Sequence, residues 1–256
     1  MFVVVFENTN YASVVGTMAM PYLDTLIGQY GLATQYYANT HPSIGNYFML
    51  TVGQIITNND GYTDTITADN IVRHLVAAGK SWKSYAEDLP SAGYTGDGPG
   101  KYARKHNPLT YLADVITDSL QKKNLVPFTQ FAIDRAAGAL PSYSFIVPNL
   151  CHDAHDCALD SADTWLHDNI KPLISSTGFQ QDGLLIIVFD ESSSDISHGG
   201  GRIVWVAVGP KVKPGYRSAA LYQHESTLRL TMEALGLTGS PGAAATAPKM
   251  GEFLTP

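Results

Sequence analysis

The sequence contains no run of lysines or arginines longer than a pair, and its net charge is −7. A nucleic-acid groove built on phosphate contacts needs clustered cations, so no nucleic-acid partner is expected. A small phosphorylated substrate is not excluded, because one bound metal ion supplies local positive charge. No apolar stretch reaches the ~20 residues that a membrane-crossing helix requires, so no membrane span is expected. Cysteine is scarce: only Cys151 and Cys157 occur, in a loop-like stretch. They can close a short disulfide, which suits an oxidising compartment, or remain free thiols; the spacing leaves both open. A secretory leader is also lacking, since Met1 runs straight into "FVVVF" with no basic start and no small-residue cleavage pattern. That start reads as a mature or trimmed chain, and a secreted or periplasmic location remains the expectation.

What is present is a regular alternation. Apolar, β-branched runs suited to buried parallel strands occur at 2–6, 144–147, 184–189 and 203–208, with weaker candidates at 33–38 and 81–86. Helical patterns fall at 20–30, 44–53, 69–78 (opened by an Asp69 cap), 110–122, 128–138, 161–175 and 224–236. Strands alternating with helices predict an α/β fold, a mostly parallel central sheet with helices on both faces. The chain is read as one domain over 1–256, with an irregular, loosely attached tail over 239–256. Residues 87–108 are rich in Gly, Pro and Asp and form a long loop, a feature that is uncommon in compact domains and often functional. Within it, "GYTGDGPGKY" is a candidate lid.

Ligands of open α/β sheets sit beyond the carboxyl ends of the strands. Glu7-Asn8 follow the first strand, His41-Pro42-Ser43 follow 33–38, "PNLCHDAHD" follows 144–147, and Asp190-Glu191 follow 184–189. Either acidic pair alone would pass for a solvated turn. Together they place Glu7, Asn8, Asp190 and Glu191 at one rim, an oxygen-rich set suited to a hard divalent cation such as Ca²⁺, Mg²⁺ or Mn²⁺.

Ser43 has two uses. It is a good N-cap for a helix whose apolar face is Ile44, Tyr47, Phe48 and Leu50. It also stands where helix amides and the positive dipole end hold a phosphate, and a metal would lower its pKa for attack. Asn46, one turn on, can donate to the same phosphate. A rival reading takes "HPSIG" as a near match to the nucleophile elbow of serine esterases, with Asp190 and His224 completing a triad. That reading leaves Glu7-Asn8 and "HDAHD" without a purpose.

His74 and His167 lie in helical patterns and are taken as ordinary surface or packed residues. His106, His152 and His155, the last two flanking Asp153, are candidates to surround a bound phosphate or to act as general acid. His198 precedes "GGG", where backbone can approach a ligand closely.

The pieces "VVVFENTNYASVVG", "YYANTHPSIGNYFMLTVG", "KHNP", "PNLCHDAHD" with "DTWL", "IIVFDES", "HGGGRIVWVAVGPKVKPGYRS" and "YQHESTLRLTMEALGL" occur in order along nearly the whole chain. In these the chain resembles the bacterial phosphoesterase family of acid phosphatases and non-specific phospholipases C, within the alkaline-phosphatase-like superfamily. The resemblance implies a phosphoric ester hydrolase working through a phosphoserine on Ser43, with His106 and His155 near the phosphate. It also implies one divalent metal (Ca, Mg, Mn or Zn) on Glu7, Asn8, Asp190 and Glu191. Asn46, His152 and Asp153 are the expected substrate-binding residues, although His152 stands where the family pattern has Asn. His224 matches a late histidine with a supporting role. The chain's shortness favours phosphomonoesters. Alternatives are a phospholipase C-type phosphodiesterase, an α/β-hydrolase-type esterase and a non-catalytic phosphate-binding protein.

Overall fold

The computed structural model describes residues 1–98 and 100–255. Eight strands run through them: β1 (Phe2–Phe6), β2 (Gly31–Tyr36), β3 (Trp82–Ala86), β4 (Leu125–Pro127), β5 (Tyr143–Val147), β6 (Leu185–Phe189), β7 (Trp205–Val208) and β8 (Arg217–Tyr222). They form one sheet in the order β4-β3-β5-β1-β6-β7-β2-β8. Among these strands β7 runs antiparallel to both neighbours, while the remaining pairs are parallel. The expected α/β architecture is therefore present.

The helices are α1 (Tyr11–Val14), α2 (Pro21–Gln29), α3 (Ile44–Thr51), α4 (Ile71–Ala77), α5 (Ala113–Ile116), α6 (Ser119–Lys122), α7 (Thr129–Ala136), α8 (Leu159–Ile174), α9 (Thr177–Asp182) and α10 (His224–Ala234). Two expectations need correction. The helix expected at 69–78 starts later, capped by Asn70, whose side chain accepts from the Arg73 amide. The pattern at 110–122 splits into α5 and α6, because the Asp118 carboxylate accepts from the Leu120 and Gln121 amides and starts a new helix.

Every residue of β1, β5 and β6 is buried. A strand covered on both faces by helices needs apolar side chains in both directions, which is why these three read as continuous apolar runs. Each fully buried Val, Leu or Ile contributes about 1.5–3 kcal/mol relative to an exposed one. The segment beyond 239 is irregular, built of short 3-10 turns, but it is anchored: Met250 and Phe253 are fully buried and the Phe253 ring lies 4.8 Å from that of Trp205. Cys151 and Cys157 form a disulfide. The 87–108 loop is tied to the disulfide loop where the Leu150 amide donates to the Lys101 carbonyl at 2.9 Å. Pro99, inside the candidate lid, lies outside the described residues.

Candidate active site

β1 and β6 are adjacent, with Phe6 in register with Phe189, so the residues following them emerge side by side. The Asp190 amide donates to the Phe6 carbonyl at 2.8 Å, and the Glu7 amide donates to the Asp153 carbonyl at 2.7 Å, which draws in the loop after β5. Asn8 adopts φ 43°, a left-handed conformation that Asn tolerates better than most residues. This turns its amide onto Asp190 Oδ1 at 3.0 Å. The Asn8 side chain meanwhile donates to Glu7 Oε2, also at 3.0 Å.

Ser43 opens α3, but its hydroxyl makes no capping hydrogen bond. Its Oγ lies 3.0 Å from Glu7 Oε2 and 3.1 Å from Glu191 Oε1. One hydroxyl proton can be given to only one carboxylate. The other contact needs a proton on the second carboxyl group or a shared cation. The Tyr47 hydroxyl donates to Glu7 Oε1 at 2.6 Å, and His106 Nε2 stands 3.2 Å from the same oxygen. The Tyr47 and His106 rings stack with centroids 5.2 Å apart. The other ring nitrogen of His106 faces Asp153 Oδ2 at 3.1 Å.

Glu7, Ser43, His106, Asp153, Asp190 and Glu191 are all buried. Burial, aided by the neighbouring Asp190 and Asp153, pushes the Glu7 pKa well above the carboxylate range. Asp190 is also raised, chiefly by burial. Asp153 is raised to about 7 by burial, and Glu191 to about 7 by burial and by the Asp190 charge. Burial lowers His106 to about 3. This is a crowded set of buried carboxyl groups, and among the described residues no lysine or arginine is hydrogen-bonded to them.

The structure brings Glu7, Asn8, Ser43, His106, Asp153, Asp190 and Glu191 together, with His155 at the margin. The His155 side chain is 32% exposed and pairs with Asp156, and its ring centroid lies 5.8 Å from that of His106. Two expected substrate-binding residues are placed elsewhere. Asn46 is fully buried: Oδ1 accepts from the Asn39 and Thr40 amides, and Nδ2 donates to the Thr40 carbonyl. It braces the turn that carries Ser43, leaving one amide proton. His152 turns away to the end of β3, where its Nδ1 faces both carboxylate oxygens of Glu87. The glycines after His198 approach protein rather than ligand: Gly199 and Gly200 lie against the backbone of Asn39 and Thr40.

The esterase triad is absent. His224 Nε2 faces the Asp190 backbone carbonyl at 2.7 Å, and its Nδ1 faces the Tyr36 hydroxyl. Among the described residues no histidine is hydrogen-bonded to Ser43. Two further side chains join the site. His41 Nδ1 is paired with Glu191 Oε2, and its Nε2 faces the Asp195 carbonyl. Tyr47 belongs to the helical apolar pattern of α3, yet its hydroxyl, one turn beyond Ser43, reaches Glu7.

Among the described residues no group of three or more His, Cys, Asp or Glu side chains stands arranged to hold a metal ion. The donor chemistry nevertheless fits one. Asp190 Oδ2 is buried without a hydrogen-bond partner among the described residues. Glu7, Asn8, Asp190 and Glu191 offer oxygen donors only, the preference of hard divalent cations.

The Phosphoesterase family model matches residues 17–238; Glu7 and Asn8 precede the matched stretch. The phosphatidylinositol-3-phosphatase of Mycobacterium tuberculosis is 31% identical over 248 residues, covering 96% of this chain and 79% of that protein. A probable acid phosphatase of Kluyveromyces lactis is 31% identical over 89% of this chain. The phosphate-repressible acid phosphatase of Penicillium chrysogenum is 34% identical over 64% of it. The chain spans 56% and 41% of the lengths of these two fungal proteins. Among solved structures, a protein of the alkaline phosphatase superfamily from Vibrio parahaemolyticus superposes with a TM-score of 0.68 at 11% identity, covering 98% of this chain and 71% of that one. The lipoteichoic acid synthase LtaP from Listeria monocytogenes gives 0.64 at 13%, covering 94% and 73%. These two likenesses are of fold.

Proposed function

The chain belongs to the Phosphoesterase family, and we propose that it is a metal-dependent phosphoric monoester hydrolase that uses Ser43 as nucleophile. The observation that carries this reading is the Ser43 hydroxyl, free of capping duty and set between the carboxyl groups of Glu7 and Glu191. A divalent ion held by Glu7, Asn8, Asp190 and Glu191 would lower the pKa of that hydroxyl and offset the charge of the phosphoryl group.

The remaining roles follow from the chain's own side chains. Ser43 Oγ attacks phosphorus in line, and its proton passes to a carboxylate that accepts its hydrogen bond. The bond from phosphorus to the leaving oxygen breaks as His155, the partly exposed imidazole, supplies a proton. His106, oriented by Asp153, lies on the other side of Glu7 and serves the phosphoryl group. Water then hydrolyses the phosphoserine. Positioning and electrostatics supply most of the rate in such transfers. One sheet and one site support a single catalytic domain, and the disulfide suits secretion or a periplasmic location.

Ser43→Ala tests the assignment. Turnover of p-nitrophenyl phosphate should fall by about a thousandfold or more, while vanadate binding survives. Undiminished turnover would remove Ser43 from the reaction. A phospholipase C-type activity would appear instead as faster cleavage of a phosphodiester than of the monoester by the unaltered protein.

A further inference from the structure

The amino end of α3 is closed by an anion of the protein's own. Asp60 Oδ1 accepts from the Ile44 amide at 3.3 Å, and Oδ2 accepts from the Lys105 ammonium at 2.7 Å. Ile44 follows Ser43 and Lys105 precedes His106. One carboxylate thus bridges the two segments that deliver the hydroxyl and the imidazole.

Neither partner is fully sequestered: the Lys105 side chain is 22% exposed and that of Asp60 30%. Burial works against the Lys105 charge, but the hydrogen bond to Asp60 and the fields of Asp60, Glu7 and Asp190 hold its pKa above the ordinary value. An amide beside the nucleophile and an ammonium at the rim of a buried carboxylate set are donors of the kind that hold a phosphate. Asp60 occupies both.

We propose that Asp60 is an internal stand-in for the phosphoryl group, and that Lys105, released from it, binds the substrate's phosphate and favours dianionic monoesters over monoanionic diesters. The assignment rests on the phosphoesterase reading above and names the substrate charge that its site selects. The selectivity follows from Coulomb's law: Lys105 gains more from a second negative charge on the substrate than from a diester that lacks it. The Asp60 carboxylate competes for the same ammonium and the same amide, so it also favours product release.

A structural ion pair would respond alike to loss of either partner; a stand-in and its cation respond in opposite directions. Binding of inorganic phosphate, measured by calorimetry, should weaken about tenfold in Lys105→Met, the size of one charge-assisted hydrogen bond. It should tighten severalfold in Asp60→Asn and return towards the original value in Lys105→Arg. The kcat/KM of Lys105→Met for p-nitrophenyl phosphate should fall with the phosphate affinity, and that for bis(p-nitrophenyl) phosphate should change by less than about threefold. Shifts of phosphate affinity in the same direction for Lys105→Met and Asp60→Asn, or a proportional loss on both esters, would overturn the proposal. If the unaltered protein cleaves neither ester yet the two variants shift phosphate binding oppositely, the catalytic reading fails while the pairing of Asp60 and Lys105 stands.

Discussion

Asp153 Oδ2 stands 3.1 Å from His106 Nδ1, on the far side of the ring from Glu7, and both residues are buried. A carboxylate there holds the ring plane by its hydrogen bond to Nδ1. Asp153→Asn should therefore lower kcat about tenfold to a hundredfold, the range seen when a partner that orients an imidazole is removed. KM should change less, and a kcat equal to that of the unaltered protein would detach Asp153 from catalysis.

Glu7 is the most connected side chain of the site, touched by Ser43, Asn8, Tyr47 and His106. If it holds the metal, Glu7→Gln keeps the shape and removes the charge. The Mn²⁺ concentration needed to restore half of the activity after chelation should rise by about tenfold or more. Turnover that persists in EDTA would rule out metal dependence altogether.

The buried titrating groups set a pH dependence whose sign is unusual. Glu191 and Asp153 have folded pKa values of about 7, and Glu7 and Asp190 are raised as well. Between the ordinary carboxylate range and pH 7 the folded state binds more protons on these groups than the unfolded state, so they lower stability as pH rises. His106 and His224, lowered to about 3 and about 4, act oppositely: their contribution is full above pH 6.5 and is lost as pH falls through the folded values. The four carboxyl groups outnumber the two imidazoles. The Tm of EDTA-treated protein should accordingly fall between pH 5 and 7.5, and added Mn²⁺ should raise it more at pH 7.5 than at pH 5. A chelated protein that grows steadily more stable over this interval would show that the carboxyl groups are not buried together.

Much of this architecture is legible in the sequence because burial on both faces leaves no alternative to apolar residues. "FVVVF" and "LIIVF" are β1 and β6, and the acids that follow them meet. β8 is not legible, since an edge strand with residues such as Arg217 exposed carries no such run. β4, with three residues, is too short for any period. At the site, residue types at strand ends announced Glu7, Asn8, Ser43, Asp190 and Glu191. Which way a loop side chain faces is decided by tertiary contacts: nothing in "CHDAHD" says that Asp153 turns inward to His106 while His152 turns outward to Glu87. Asn46 is ambiguous for a related reason, because a buried amide serves a backbone turn as readily as a ligand.

The glycines at 199–201 show how the turn before Ser43 is set. The Gly200 amide donates to the Ala38 carbonyl, and the Ala38 amide donates to the Gly201 carbonyl. A Cβ on Gly200 would stand 2.4 Å from the Thr40 carbonyl oxygen and 2.6 Å from the Ala38 Cβ. Both neighbours belong to the segment leading to Ser43, so relief of the clash must move that turn. Gly200→Ala should lower stability by about 1–3 kcal/mol, as overpacked sites do, and should reduce kcat by displacing the hydroxyl from Glu7. Gly28→Ala is the contrast: Gly28 lies within α2, and a Cβ there meets nothing within 4 Å. That change should raise stability by about 0.4–1 kcal/mol and leave turnover as it was. Thermal melts and kcat on p-nitrophenyl phosphate for the two variants, side by side, check the difference; equal behaviour would mean that the glycine run does not shape the turn that carries Ser43.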